Sequence, residues 1–248
     1  AGTLVGGDVY VENAGSLITL STNGGALNVK GEMIIANPGS SNGLSIDTAG
    51  GAVRFYGLLN SGNSYTYVHD TMRTWVAAKS HAETGNSGNG GAVGDSYLAT
   101  VTSRLENAVA RYTIEQVDTA GEAWLGAHRG YGTLGASFSY SDSATNRNWY
   151  WVTGPEGLMN NQHGLLFFTQ SSGGSGGTTP SGSYSNWNSG EPNNSGGGSN
   201  FTSCAECALQ FITNGGLWND LNDNTGLQVK NYVKETNLAT SPVTVTAG

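Results

Sequence analysis

The sequence predicts an α+β chain in which an all-β base is followed by a segment of two helices, short strands and long loops. Three observations predict this class. Before Gly62, apolar and polar residues alternate in short bursts, which is the period of a strand. Between Asp70 and Tyr112, two stretches space their apolar residues three and four apart, the period of a helix. Beyond Trp124 that spacing fades, and loops rich in Gly, Ser, Thr and Asn dominate.

Bulk properties narrow the function. A chain of 248 residues can bury a core on size alone. Only 11% of residues are charged and 39 are glycine, so the surface is built from turns and strands rather than ion-paired helices. A net charge of -8, with 10 Lys and Arg in all, argues against sequence-independent binding to phosphate backbones, and nucleic acid is not an expected partner. No run approaches the roughly 20 apolar residues of a membrane-spanning helix, so no membrane insertion is expected. The chain opens at an alanine with no basic-then-apolar leader, which fits a cleaved secretory precursor and a secreted or cell-surface location. Cys204 and Cys207 form one C-x-x-C, compatible with a small-loop disulfide, a redox pair or half of a metal site. With no second pair and no neighbouring histidine, structural zinc is disfavoured.

Residues 1–61 read as the β-rich base. The bursts are Val9 and Val11, Ile18 and Leu20, Leu27 and Val29, Met33 and Ile35, Leu44 and Ile46, and Val53 and Phe55. Glycine-rich turns separate them, and several recur about every nine residues, which predicts a β-solenoid or a tight meander. A short stack has an open edge that invites another strand, either from the C-terminal piece 238–248 (Val243-Thr244-Val245) or from a neighbouring subunit.

Residues 62–237 read as the second domain. A first helix is predicted over Asp70 to Glu83, behind an Asp70 or Thr71 cap, with Met72, Trp75, Val76 and Lys79 at helical spacing. A strand from Tyr97 to Val101 leads into Ser103-Arg104-Leu105-Glu106, a capping box that opens a second helix with an apolar stripe of Leu105, Ala108, Val109 and Tyr112. Further strands are predicted over Ala123 to Gly126, Asn148 to Thr153, Cys204 to Ile212 and Gln228 to Glu235. The low-complexity stretches Ser171 to Ser183 and Asn194 to Asn200 read as exposed, mobile loops flanking a structured island, Tyr184 to Asn193.

The order of motifs resembles the C-type lectin-like fold, of a bacterial type with an N-terminal β-rich segment. An opening strand at Tyr65 to Val68 and two helices are followed by Trp124-Leu125-Gly126, Trp149-Tyr150-Trp151-Val152-Thr153-Gly154, Tyr184-Ser185-Asn186-Trp187, Glu191-Pro192-Asn193, Trp218-Asn219-Asp220 and Tyr232-Val233-Lys234-Glu235. Departures are equally specific. Where the family has a cysteine on the first helix, paired with one in the final strand, this chain reads Ser80-His81-Ala82, and its final strand has none. The family's second disulfide would join the position of Cys204 to one now occupied within Leu221-Asn222-Asp223. Cys207 is then the only intrachain candidate partner for Cys204, and on an extended strand such a bond needs a bulge or turn.

What the resemblance implies is a non-enzymatic, calcium-dependent lectin or adhesin. Glu191, Asn193, Asn219 and Asp220 offer the mixture of carboxylate and amide oxygens that calcium takes, and a cis bond before Pro192, as in the family, would aim Glu191 and Asn193 at one point. Asn219 and Asp220 alternate on a strand, so both bind only if one also uses its backbone carbonyl or the strand bends. Thr202 stands where the family has a further glutamate, with Glu206 as a nearby substitute. Glu-Pro-Asn goes with mannose- or glucose-type sugars in the family, and Trp187 is a candidate for sugar stacking. Trp124, Trp151 and Trp218 read as core, the loop acids Asp118, Asp142 and Asp223 as solvated, and the four histidines as without metal or triad spacing. Gly173-Gly174-Ser175-Gly176-Gly177 matches a nucleophile elbow only formally, since it lacks the strand and helix that an elbow needs. The alternative reading is a structural subunit of an extracellular fibre that self-assembles through strand edges, its lectin-like module serving protein contacts.

Overall fold

The strands of the first unit are three or four residues each. They are β1 (Thr3–Val5), β2 (Val9–Glu12), β3 (Ile18–Ser21), β4 (Leu27–Val29), β5 (Met33–Ala36), β6 (Leu44–Asp47), β7 (Val53–Phe55), β8 (Leu59–Ser61) and, from the far end of the chain, β18 (Thr244–Thr246). The computed structural model describes residues 63–88, 90–130, 147–201, 205–223 and 230–237, together with residues 26 and 49 and the backbone of these short strands. Every pairing among the nine is parallel, and they form three sheets, β1-β4-β7, β2-β5-β8 and β3-β6-β18. Thr3 pairs with Leu27 and Leu27 with Val53, so successive strands β1 to β8 of one sheet lie about 25 residues apart in sequence. The chain leaves this stack after β8 and rejoins it at β18, where Thr244 to Thr246 lie beside Ser45 to Asp47.

The chain divides into two compact units, Ala1–Ser64 with Thr236–Gly248, and Tyr65–Glu235. The second unit is built on a mixed sheet of β9 (Asn63–Arg73), β10 (Ser96–Leu98), β11 (Glu122–Arg129), β12 (Asn148–Trp151), β13 (Leu165–Gln170), β14 (Gly177–Thr178), β15 (Ala208–Ile212), β16 (Leu217–Leu221) and β17 (Lys230–Asn237). The continuous path is β10-β17-β11-β12-β13-β14, while β9 adds to β17, and β15 joins β11 to β16. The final strand β17 runs parallel to β11, and the other β11 pairings are antiparallel.

The first helix is shorter than its sequence suggests. Asp70, Thr71 and Met72 belong to β9, and α1 spans Trp75–Ala82 with Thr74 as its cap, its Oγ1 accepting from Ala77 N at 3.3 Å. Asp70 instead accepts from Thr71 N and from the Arg73 guanidinium, a local bond that holds the chain out of helix. Met72 is therefore exposed, and α1 buries Trp75, Ala78, Lys79 and Ala82. The second helix, α2 (Arg104–Glu115), starts where the capping box places it, with Ser103 Oγ accepting from Glu106 N. Its buried face is rotated from the predicted stripe. Leu105, Asn107, Val109, Ala110 and Ile114 point inward, whereas Ala108 and Tyr112 are exposed. Asn107 causes the difference, because its amide joins Gly216 O and the Trp218 indole, which periodicity of apolar residues cannot register.

Trp75, Ala78, Ala82, Leu98, Trp124, Tyr150, Val152, Ala208 and Tyr232 form a buried cluster beneath α1. Its indoles are also tethers. Trp75 Nε1 donates to Leu125 O at 2.7 Å, and Trp124 Nε1 to Arg73 O at 2.8 Å. Gly126 between them is set by close approach, since a Cβ there would sit 1.9 Å from Thr153 Oγ1 and 2.6 Å from Leu98 O. Gly126→Ala is expected to destabilise the fold by about 3 kcal/mol, read as a lowered urea midpoint at unchanged slope.

Where the family has its helix-to-strand disulfide, this chain ties α1 to β17 by a 2.5 Å hydrogen bond between His81 Nδ1 and Tyr232 Oη. Farther along β17, the Glu235 carboxylate is fully buried, accepting from Thr100 N at 3.1 Å and Tyr65 Oη at 3.3 Å. Burial first, and then the charges of Glu156 and Glu106, hold its pKa well above the ordinary 4.5. The folded chain thus keeps a proton that the unfolded chain has lost, and stability declines as pH rises above the unfolded value. Glu235→Gln is expected to flatten this decline between about pH 5 and pH 8 and to leave the variant the more stable at the upper end. A residual slope from buried Glu156, whose pKa is also raised by burial, should persist. Denaturant midpoints across that range would show it, and an unchanged slope would count against the assignment.

Candidate calcium and sugar site

The island between the low-complexity stretches is clamped to β16. Trp218 N donates to Asn186 O and Asn188 N donates to Trp218 O, both at 2.9 Å, so Trp187 lies beside Trp218 as in a parallel ladder. Aromatic rings fill the space beneath. Trp187 meets Trp149 at 4.8 Å between centroids and Trp218 at 5.9 Å, while Trp151 stacks on Phe167 at 4.7 Å. Trp187 is half-buried, whereas Trp124, Trp151 and Trp218 are wholly buried.

Two residues beyond Trp218 on the same face of β16, Asp220 is buried, its carboxylate accepting from Asn193 N at 2.9 Å and Asn194 N at 2.8 Å. The Glu191-Pro192 bond is cis. Asn193 Nδ2 donates to Glu191 Oε1 at 2.9 Å, which leaves Glu191 Oε2 and Asn193 Oδ1 buried with no hydrogen-bond partner. Two unpartnered acceptors beside a buried carboxylate are costly unless a cation meets them.

Glu206 completes the cluster. It is buried, and its Oε2 accepts from Ser195 N at 2.7 Å. Burial and the nearby Asp220 charge push Glu206 up to about 7. Glu191 is likewise pushed up to about 7, by burial and then by its contact with Asp220. Burial also raises Asp220. Three carboxyl groups that resist ionising together in protein alone are what a divalent cation would relieve.

The loop that carries these groups is held by side-chain hydrogen bonds. Asn194 is fully buried at a φ of 50°, and its Nδ2 donates to Gly198 O and Asn200 O. Its Oδ1 accepts from Arg129 Nη2 at 3.0 Å and Glu206 N at 3.3 Å. Arg129 is itself buried, over the Phe201 ring. The Gly-rich stretch after Ser171 is tied down as well, through Gly176 N to Pro192 O and Ser175 Oγ to Gly190 O. Both stretches are largely exposed, as expected, and their glycines turn the backbone into its own set of donors and acceptors.

Of the residues the sequence nominates, Glu191, Asn193, Asp220 and Glu206 come together. Asn219 does not join them, because strand alternation turns its amide to the other face, where Nδ2 donates to Gln210 Oε1 at 3.0 Å. Arg129 and Asn194 are braces that the sequence reading missed. Asn194 did carry a signal, since an asparagine before a glycine run is suited to positive φ. Asp118 caps a turn at Ala120 N, and Asp223 pairs with buried His128 at 3.1 Å. Cys207 is disulfide-bonded. Cys204, Thr202 and Asp142 lie outside the described residues.

No protein-family model matches the chain. A segment is 34% identical over 169 residues, 68% of this chain, to halomucin of Haloquadratum walsbyi, and spans about 1% of that protein's length. Among solved structures, the chain is similar to the mouse scavenger receptor C-type lectin carbohydrate-recognition domain, at a TM-score of 0.44 and 17% identity, covering 72% of this chain and 93% of that one. It is also similar to the C-type lectin CEL-I from Cucumaria echinata, at a TM-score of 0.43 and 19% identity, covering 72% and 92%. In the order of their motifs, their two helices, the closing strand beside β11 and the cis Glu191-Pro192 loop, residues 65–235 have the C-type lectin-like fold.

Proposed function

We propose that residues 65–235 are a glycan-binding module whose sugar is held through calcium, with Glu191, Asn193, Asp220 and Glu206 as the protein's ligands. The observation that carries this reading is the pair of buried, unpartnered oxygens, Glu191 Oε2 and Asn193 Oδ1, beside the buried Asp220 carboxylate. The donor set is all oxygen, as calcium requires. A bound calcium would supply the positive charge on which vicinal sugar hydroxyls coordinate. This chain's residues supply the oxygens, fix their direction through Asn194 and Arg129, and bring half-buried Trp187 close by in sequence. The Glu-Pro-Asn order supports mannose- or glucose-type sugars. Affinity for the ion of about 10⁻⁴ to 10⁻³ M is expected, as for extracellular modules. A disulfide at Cys207 and the likeness to halomucin support a secreted or cell-surface setting.

A glycan array with and without chelator tests the reading. Calcium-dependent binding to mannose-type glycans, lost on Glu191→Gln, is the expected result. Binding that ignores both chelator and substitution would sink it.

The parallel stack favours a second, compatible role as a β-solenoid subunit of an extracellular assembly. Its support is the open edges of β1, β2 and β3 at one end and of β7, β8 and β18 at the other. Deleting residues 241–248 removes β18 and should abolish assembly while residues 65–235 stay folded. Unchanged assembly would count against it.

A further inference from the structure

Three side chains of different chemistry, none of them a ligand of the acidic loop, converge: His128 on β11, Cys207 just before β15, and Asp223 just after β16. One ligand atom from each lies within 4.8 Å of the other two. His128 and Cys207 are fully buried, and Asp223 is largely so, with 14% of its side chain exposed. Neighbours fix all three. Cys207 N donates to Leu221 O and Arg129 N to Cys207 O, which locks the Cys207 backbone between β11 and β16. The His128 ring packs on Trp75 at 5.1 Å, and Val76 N approaches Asp223 O.

As the structure stands, Cys207 sulfur is held in a disulfide and is no ligand. The geometry points to a second metal site that exists only when this disulfide is opened: a thiolate, an imidazole and a carboxylate that would hold one zinc-class ion. Sulfur, nitrogen and oxygen donors in one place select zinc or cobalt over calcium. Tetrahedral zinc separates its ligand atoms by roughly 3.3–3.7 Å from its bond lengths, a spacing that atoms within 4.8 Å of one another reach by small side-chain shifts. The His128 Nε2 to Asp223 Oδ2 contact, 3.1 Å, is slightly shorter than that spacing. Burial holds the His128 pKa down, so the ring sits in the neutral form that a metal needs. Asp223, next to solvent, gives the ion a way in. The fourth position goes to water. Disulfide and metal exclude each other, since the same sulfur serves both.

Opening the bond is a two-electron reduction. A trialkylphosphine attacks one sulfur, and water then supplies the oxygen of the phosphine oxide and the protons of the two thiols. Cys204→Ser reaches the same free Cys207 without a reductant, because the chain has two cysteines in all.

The test is a cobalt(II) titration of the whole chain in a Glu191→Gln background, so that the acidic loop does not contribute. Three forms are compared: oxidised, phosphine-reduced and Cys204→Ser. One equivalent of cobalt with thiolate charge-transfer absorption is expected in the last two, at least about tenfold tighter than in the first, and weakened a further tenfold or so by Asp223→Asn. Circular dichroism of each form confirms that it is folded. Equal uptake in all three forms, or cobalt bound without a thiolate band, would overturn the inference. Failure of calcium-dependent sugar binding would leave it untouched, since it uses none of those ligands.

Discussion

Asparagine in place of Asp220 is expected to weaken calcium binding by about 100-fold, or about 2.7 kcal/mol, and to remove calcium-dependent glycan binding with it. Asp220 acts twice. Its charge is the most buried of the three carboxylates, and its oxygens receive the amides of Asn193 and Asn194, which hold the Glu191-Pro192-Asn193 loop in place. An amide at this position offers one oxygen where two are needed and turns a donor toward a backbone donor. The loop should loosen even before calcium is added, visible as faster amide exchange at Asn193 and Asn194. Asn219→Ala is the contrasting variant. Its side chain faces Gln210, so calcium affinity should change by less than about threefold. Calorimetry of both variants decides, and a larger loss at Asn219 than at Asp220 would show that the ligands come from the other face of β16.

Trp218→Ala should cost the domain about 3–5 kcal/mol and lower its melting temperature by roughly 10–15 °C. The ring is wholly buried and meets Trp151 and Phe167 edge-on, each at 5.8 Å between centroids. Its Nε1 donates to Asn107 Oδ1 at 2.8 Å, joining α2 to β16, and that acceptor would be left without its indole donor. Phenylalanine at 218 separates the two contributions by keeping most of the packing and removing the donor. It should recover more than half of the loss, as measured by thermal denaturation in calcium-free buffer. A Trp218→Phe variant as unstable as Trp218→Ala would assign the effect to the Asn107 bond.

How much of this was legible in sequence depends on what each signal measures. Motif order located β11, β12 and β16, because bulky aromatic residues there are fixed by the core. The capping box located the start of α2, because Ser103 and Glu106 act locally. Periodicity failed where polar side chains bond to neighbours. Asn107 rotated the face of α2, and Asp70 kept β9 extended through a residue triplet that reads as helix. The site was legible as Glu191, Asn193 and Asp220, three residues in two short motifs. Glu206 was legible only as a neighbour in sequence, and the braces were not legible at all, because Asn194 and Arg129 meet Glu206 only through the fold. Composition identified the Gly, Ser and Asn stretches as exposed loops but not the hydrogen bonds that hold them, since it reports side chains and many of these bonds use the backbone. The His128, Cys207 and Asp223 cluster had no sequence signature, as its members come from three separate strand ends.

The hydrogen bond from Tyr65 to Glu235 joins the first and last residues of the second unit. A module whose two ends touch needs only a short gap in its host, so it can be spliced into a tight turn without stretching either partner. In chain order the second unit is inserted in this way between β8 and β18 of the first. Gene-level shuffling of this segment among unrelated β-rich hosts would therefore be tolerated, and a circularly permuted version joined at Glu235 and Tyr65 through a few glycines should fold by itself.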